Sequence, residues 1–305
     1  MKRMIRLGTR DSDLALWQAT TVRDKLKQLG QACELVPVKA AGDLQLDTPL
    51  YELGITGIFT KTLDVAMIRG EIDLAVHSMK DVPTQLPRGI VQAAVLERAN
   101  PLDVLVHKGL DFLNTEGAVA TGSLRRKAQW LHRYPLHEIE DLRGNVNTRL
   151  RKLQESKWDA AIFAAAGLQR INILPEAHVE LRWMVPAPAQ GAMLVVVKEG
   201  DEGLYRLVQK LNHEPTAICT SVEREFLREL EGGCTAPIGA LAQIRDDRLF
   251  FKGILLALDG QECLTVEKDT SLSHARGFGK ACAIEVLEKG GRRLMQQIKK
   301  ELGNT

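Results

Sequence analysis

No run in this chain is long and apolar enough to span a bilayer, and its first residues, MKRMIRLGTRDSD, are polar where a secretory leader needs an apolar segment. A cytoplasmic location with no membrane partner is expected. The five cysteines, Cys33, Cys219, Cys234, Cys263 and Cys282, are odd in number and contain no C-x-x-C pair, which argues against a disulfide framework or a structural zinc site. Seven histidines are scattered without an H-E-x-x-H pairing, no phosphate-binding G-x-x-x-x-G-K-[ST] is present, and no G-x-G-x-x-G follows a strand. No metal is expected, and nucleotide-dependent chemistry finds no support. Aromatic residues make up 5% of the chain and the formal net charge is +2, too few rings and too little charge for a nucleic-acid stacking platform.

What is present is a core and an uneven charge distribution. Apolar residues account for 45% of 305 residues, a length at which a single core usually divides into two or three domains. Between Thr121 and Lys152 eight cationic residues (Arg125, Arg126, Lys127, Arg133, Arg143, Arg149, Arg151, Lys152) face three acidic ones, and six of the eight are arginines. Arginine's planar fork matches a carboxylate or phosphate in two-point contact, so a polyanionic ligand is implied. A solvated helix face, the structural alternative, usually mixes the two signs more evenly.

The order of hydrophobic patterns predicts repeated strand-to-helix units. Ile5 to Thr9 reads as a strand, Asp11 or Ser12 as a cap, and Leu14, Trp17, Val22, Leu26 and Leu29 as one helix face ending at Gly30. Glu34 to Ala40 reads as a second strand, and Ala41 to Gly57 as a long glycine-containing connector of the kind that forms lids. A helix is expected over 58–69, then a buried strand over 72–76 that runs into HSMKDVP. Strand ends are where open α/β sheets hold ligands, which singles out His77, Ser78, Lys80 and Asp81. Strands are expected over 90–96 and 103–107. The unit then recurs: a strand at 118–121 with a helix through Trp130, a strand at Ile139 with a helix over 147–154, a strand over 158–164 with a short helix in AGLQR. Arginines 125, 126, 143, 149 and 170 thereby gather near successive helix starts, where helix dipoles also favour anions.

Val185 to Lys198 begins with two prolines that suit a linker and ends in a continuous apolar strand, expected to return to the first sheet. A helix over 215–230, strands over 240–245, 249–257 and 263–268, and a long final helix from about Leu272 with a break at Gly290 and Gly291 make up an α+β remainder. At its entrance lies EGGCTAPIG, Glu231 to Gly239. Paired glycines and a following proline place Cys234 on a loop between helix and strand. A small buried core cysteine is the competing reading. A cysteine–histidine protease using Cys234 with His77 or His213 has no supporting local motif.

Six fragments, TRDSDLALWQA, HSMKDVP, TGSLRR, RGNVNTRL, AAAGLQR and EGGCTAPIG, follow one another across nearly the whole length. In this order they resemble the porphobilinogen deaminase (hydroxymethylbilane synthase) family. The resemblance implies an α/β fold: two domains like those of periplasmic binding proteins around a cleft, plus a smaller α+β C-terminal domain. It places domain 1 at 1–97 and 190–211, domain 2 at 98–189 and domain 3 at 212–305. The implied activity is a transferase that joins four porphobilinogen units head to tail, with loss of ammonia, into the linear tetrapyrrole hydroxymethylbilane of haem biosynthesis. One covalent dipyrromethane cofactor per chain is implied, in thioether linkage to Cys234. A thiol suits the electrophilic azafulvene that loss of ammonia creates.

By the same resemblance Asp81 is the catalytic carboxylate, acceptor-only and therefore suited to a developing N–H cation. The cofactor-binding set is Cys234, Lys80, Ser78, Thr121, Ser123, Arg125, Arg126 and Arg143, and the substrate-binding set Arg10, Ser12, Arg149, Arg170 and Gln190. Partners are porphobilinogen alone, with no nucleic acid and no membrane, and the chain is expected to be a monomer. The chain departs from the family in three places. Thr56 stands where a lysine is usual, PAPAQG replaces P-A-V-G-Q-G so that Pro188 and Ala189 occupy valine and glycine positions, and RGNVNTR replaces R-G-N-V-G-T-R. A solute-binding protein on the same two-lobed scaffold is the main alternative, which the third domain with its EGGC loop argues against.

Overall fold

The computed structural model describes residues 3–38, 60–230 and 236–303. Its backbone divides into two compact units whose described parts are 3–38, 60–99 and 191–217 for the first, and 100–190, 218–230 and 236–303 for the second. The expected lid over 41–57, Thr56 within it, and Cys234 with its neighbours 231–235 lie outside the described residues.

The first unit opens with β1 (Ile5–Thr9), α1 (Asp13–Gln28), β2 (Cys33–Pro37), α2 (Lys61–Ile68), β3 (Leu74–Ser78) and β4 (Ile90–Val95). The second unit continues with β5 (Asp103–His107), β6 (Ala118–Ala120), α3 (Leu124–Arg133), β7 (Glu138–Glu140), α4 (Val146–Glu155), β8 (Ala160–Ala164), α5 (Ala165–Arg170) and β9 (His178–Glu180). The chain then returns to the first unit with β10 (Met193–Lys198) and α6 (Glu202–Gln209), and α7 (Glu214–Glu229) leads out of it. The C-terminal part holds β11 (Ile238–Arg245), β12 (Arg248–Leu256), β13 (Cys263–Ser271), α8 (Phe278–Val286) and α9 (Arg292–Glu301).

In the first unit the sheet order is β2-β1-β3-β10-β4. β1 runs parallel to β2 and β3, whereas β10 is antiparallel to both β3 and β4. The continuous apolar run Met193–Val197 is what a strand with neighbours on both sides requires. Alternate residues of the sheet, among them Leu7, Leu74, Val76, Val195 and Val197, pack with Val22 and Leu26 of α1 and Val208 of α6. The second unit repeats the arrangement with order β7-β6-β8-β5-β9, β6 parallel to β7 and β8, β5 antiparallel to β8 and β9. Its C-terminal part is a three-stranded antiparallel sheet covered by α7, α8 and α9, with Phe226 and Phe251 meeting edge to face, ring centroids 5.2 Å apart. The α/β class with an α+β C-terminal part is therefore as expected.

Two elements, the short β9 and the helix α6, were not anticipated; β9 is three residues long, too short to show a period. The final helix starts later than expected, at Phe278, and is interrupted at the expected glycines: α8 passes through a wide turn over Leu287–Gly291, where Gly290 takes φ +110°, before α9 resumes. The two-proline segment expected to be a linker is built into the second unit. The Gln129 side chain accepts from Val185 N–H at 2.8 Å and donates to Val185 C=O at 2.9 Å. Ala240 N–H donates to the Pro186 carbonyl at 2.9 Å, and the buried Glu223 carboxylate accepts from Ala189 N–H at 2.6 Å. Proline lacks only the donor, so its carbonyl remains free to be paired in this way.

Candidate functional site

In the first unit β1 and β3 are parallel neighbours, so their C-terminal ends share one sheet edge. Arg10 follows β1 there, and Ser12 is the residue preceding α1. Ser78 closes β3, and the turn Met79–Asp81 that follows carries Lys80 and Asp81, both half-buried. Arg10, Ser12, Ser78, Lys80 and Asp81 are thus brought to one edge of one sheet. The Ser78 hydroxyl accepts from the buried Gln18 amide of α1 at 2.9 Å. The turn itself is held where Met79 N–H donates to the Ala192 carbonyl at 3.0 Å.

His77, singled out by its place at the strand end but in neither the cofactor-binding nor the substrate-binding set, lies beside this edge. Leu74 and Val76 point into the core beneath α1, so strand alternation turns His77 to the opposite face. Its ring is buried, and Nε2 has no hydrogen-bond partner. Burial first and the positive charge of Arg10 second lower its pKa to about 4, so the imidazole is neutral at physiological pH.

The second unit assembles its residues on the corresponding edge. Thr121 follows β6, and the Ser123 hydroxyl caps α3 by accepting from Arg126 N–H at 3.5 Å. Thr121 Oγ1 in turn accepts from Ser123 N–H at 3.3 Å. Gly122 passes so close to the next loop that a β-carbon would stand 2.5 Å from the Leu142 carbonyl oxygen, and this approach brings Arg143 alongside. Arg149, in α4, donates from Nε to the Gly144 carbonyl at 2.8 Å. Arg170 ends α5, and burial lowers its pKa to about 10.

Arg125 and Arg126, in the first turn of α3, are almost fully buried, and both are bonded to Asp103. Arg125 Nη1 donates to Oδ2 at 2.7 Å, and Arg126 Nε and Nη2 donate to Oδ1 at 2.9 and 2.8 Å. Gln190, expected to contact substrate, donates to Asp103 Oδ1 at 3.0 Å and to the Pro101 carbonyl at 2.8 Å. Burial alone would raise the Asp103 pKa, but the two guanidinium groups and Gln190 outweigh it and hold the carboxyl well below the usual range. Asp103 was not legible as a site residue. A lone aspartate opening a strand carries no motif, and only the fold reveals its partners.

Of the four described cysteines, Cys33, Cys219 and Cys282 are buried and Cys263 half-buried. Burial pushes the Cys33 and Cys282 thiols up to about 11 and raises that of Cys263. Such thiols are poor nucleophiles at neutral pH.

Fold and residues together define an α/β protein in which each unit carries arginines at the ends of its strands, with the half-buried carboxylate of Asp81 after β3 in the first. The sequence profile described as porphobilinogen deaminase, dipyromethane cofactor binding domain, matches residues 5–206, and that of the porphobilinogen deaminase C-terminal domain matches residues 217–288. The chain belongs to the porphobilinogen deaminase family. Among curated relatives, the porphobilinogen deaminase of Pelotomaculum thermopropionicum is 42% identical, covering 99% of each chain. That of Synechococcus elongatus is 40% identical over 97% of this chain and 96% of its own. Solved structures similar in outline include the periplasmic VFT2 domain of Bordetella pertussis BvgS, with 13% identity, a TM-score of 0.42, and 68% of this chain and 86% of that one covered. A TRAP periplasmic solute binding protein from Pseudomonas putida, with bound D-glucuronate, has 11% identity and a TM-score of 0.42, covering 75% and 82%.

Proposed function

We propose that the chain joins four porphobilinogen molecules head to tail into hydroxymethylbilane, releasing ammonia, on a dipyrromethane held covalently by Cys234. The observation that carries this reading is family membership along the whole chain, through both the cofactor-binding and the C-terminal profiles. When bound, the dipyrromethane supplies the free pyrrole position to which the first substrate unit is joined.

The residues present fit such a group. Each pyrrole carries an acetate and a propionate, and Arg125 keeps a buried Nε without a hydrogen-bond partner, a donor suited to a carboxylate. Thr121, Ser123, Arg126 and Arg143, with Ser78 and Lys80 of the first unit, complete the cofactor set. Arg10, Ser12, Arg149 and Arg170 hold substrate carboxylates, and burial around Arg170 strengthens any such pair. Asp81 stabilises the positive charge that develops on the substrate pyrrole as ammonia leaves, and it assists proton transfer at that step and when the α-proton is lost. The raised pKa values of Cys33, Cys263 and Cys282 support Cys234 as the attachment point.

The reading further takes the chain as a cytoplasmic monomer of three domains, 1–97 with 190–211, 98–189 and 212–305. Among the described residues no helix is long and apolar enough to cross a membrane. Intact mass spectrometry tests the central claim. The protein is expected to carry the mass of two linked pyrrole units on the peptide containing Cys234 and to turn purple-red with an aldehyde reagent for pyrroles; an unmodified Cys234 peptide after exposure to porphobilinogen refutes it.

A further inference from the structure

We infer that Asp103 is a positioning residue for carboxylate recognition: it fixes the Arg125 guanidinium so that one edge remains open to a bound carboxylate, and Gln190 serves this network. The inference rests on the functional reading above and adds a residue to it.

The two guanidinium groups differ in which nitrogens are occupied. Arg126 donates from Nε and Nη2 to Asp103 and from Nη1 to the Ile162 carbonyl at 2.9 Å, so all three of its nitrogens are held by the protein. Arg125 is held at one nitrogen. Its Nη1 donates to Asp103 at 2.7 Å and to the Val185 carbonyl at 2.8 Å, while Nε is buried with no partner. Buried donors are nearly always satisfied, and a charged one left unmet is costly, so an orphan Nε on a buried guanidinium marks a position for an external acceptor.

Charge points the same way. A single carboxylate is shared between two guanidinium groups, and among the described residues it is the only one bonded to Arg125. A carboxylate arriving at the open edge supplies counter-charge to a buried guanidinium. Asp103 also sets the direction of that edge. A guanidinium is planar, so pinning Nη1 between Asp103 and Val185 fixes where Nε points. Each anchor is itself fixed: Gln129 donates to the same Val185 carbonyl at 2.9 Å, and Gln190 donates to Asp103 from a fully buried position. The competing account is that Asp103 only neutralises buried cations.

The two accounts differ in how loading depends on ligand concentration. Full-length protein prepared without cofactor is incubated with porphobilinogen over a range of concentrations, and the rate of mass gain at Cys234 is followed by intact mass spectrometry. Asp103→Asn is expected to raise the half-saturating porphobilinogen concentration at least tenfold among chains that load, and Gln190→Met, of similar length without a donor, about threefold. A purely neutralising Asp103 lowers the fraction of chains able to load and leaves the half-saturating concentration unchanged. Should Asp103→Asn not fold, Gln190→Met decides alone; wild-type half-saturation in it overturns the inference. Failure of the wild-type chain to gain mass overturns the functional reading instead.

Discussion

The carboxylate of Glu223 accepts a 2.6 Å hydrogen bond from the backbone N–H of Ala189, an alanine held at φ +62°. Its other oxygen accepts from Ala242 N–H at 2.7 Å, so one side chain of α7 ties the segment before Gln190 to the C-terminal sheet. Each is a charge-assisted bond of about 1.5–3 kcal/mol, and both N–H groups are buried. Glu223→Ala is expected to lower unfolding free energy by about 4 kcal/mol in urea denaturation. Ala189→Gly should raise it by about 0.5 kcal/mol, because relief of a left-handed alanine exceeds the added freedom of the unfolded glycine. A destabilised glycine variant would show that φ is not strained there.

The buried neutral His77 makes stability depend on pH. Its pKa falls from 6.5 to about 4 on folding, so the unfolded chain takes up a proton that the folded one refuses. The contribution is complete above pH 6.5 and is lost as pH falls from 6.5 toward 4, about 3 kcal/mol in all. Urea unfolding at pH 7 and pH 4, compared with His77→Gln, should show a loss in the wild type that is smaller by that amount in the variant. Parallel losses in the two proteins would count against it.

Asp81→Asn keeps size and hydrogen-bonding shape while removing the negative charge. Hydroxymethylbilane formation is expected to fall by at least about 100-fold. The melting temperature should stay within a few degrees of wild type, since the residue is half-buried in a short turn. Full turnover in this variant would remove Asp81 from the reaction.

Gly122→Ala places a β-carbon 2.5 Å from the Leu142 carbonyl oxygen, too close to be borne without moving the loop that carries Arg143. A stability loss of about 1–3 kcal/mol is expected. Cofactor loading, read by intact mass, should fall toward that of Arg143→Ala, which removes the guanidinium outright. Full loading in both would count against a role for Arg143.

The places of most candidate residues in the fold were legible because they are arginines and polar residues at strand-to-helix junctions, where local pattern fixes position; Arg170, expected near a helix start, ends α5 instead. Arg10 follows β1, Asp81 follows β3, and Arg125 opens α3 as the spacing indicates. Long-range partners were not legible. Asp103 and Arg126 are bonded although far apart in sequence, and Gln190 joins them from farther still. The segment Val185–Gln190 misled for the same reason: two prolines read locally as a linker, while Gln129, Glu223 and Ala240 hold it from other elements. The family resemblance supplied roles that periodicity could not.

β10 lies between β3 and β4, yet it is made only after the whole stretch 100–190 of the other unit. During synthesis the neighbours of this central strand must wait, their facing edges unpaired, until residue 198 has emerged. At roughly 5–20 residues per second that delay lasts several seconds, long enough for exposed strand edges to meet other chains. The first-made half of the molecule is therefore the later to close, and nascent chains arrested before β10 are the ones that should need chaperone protection most.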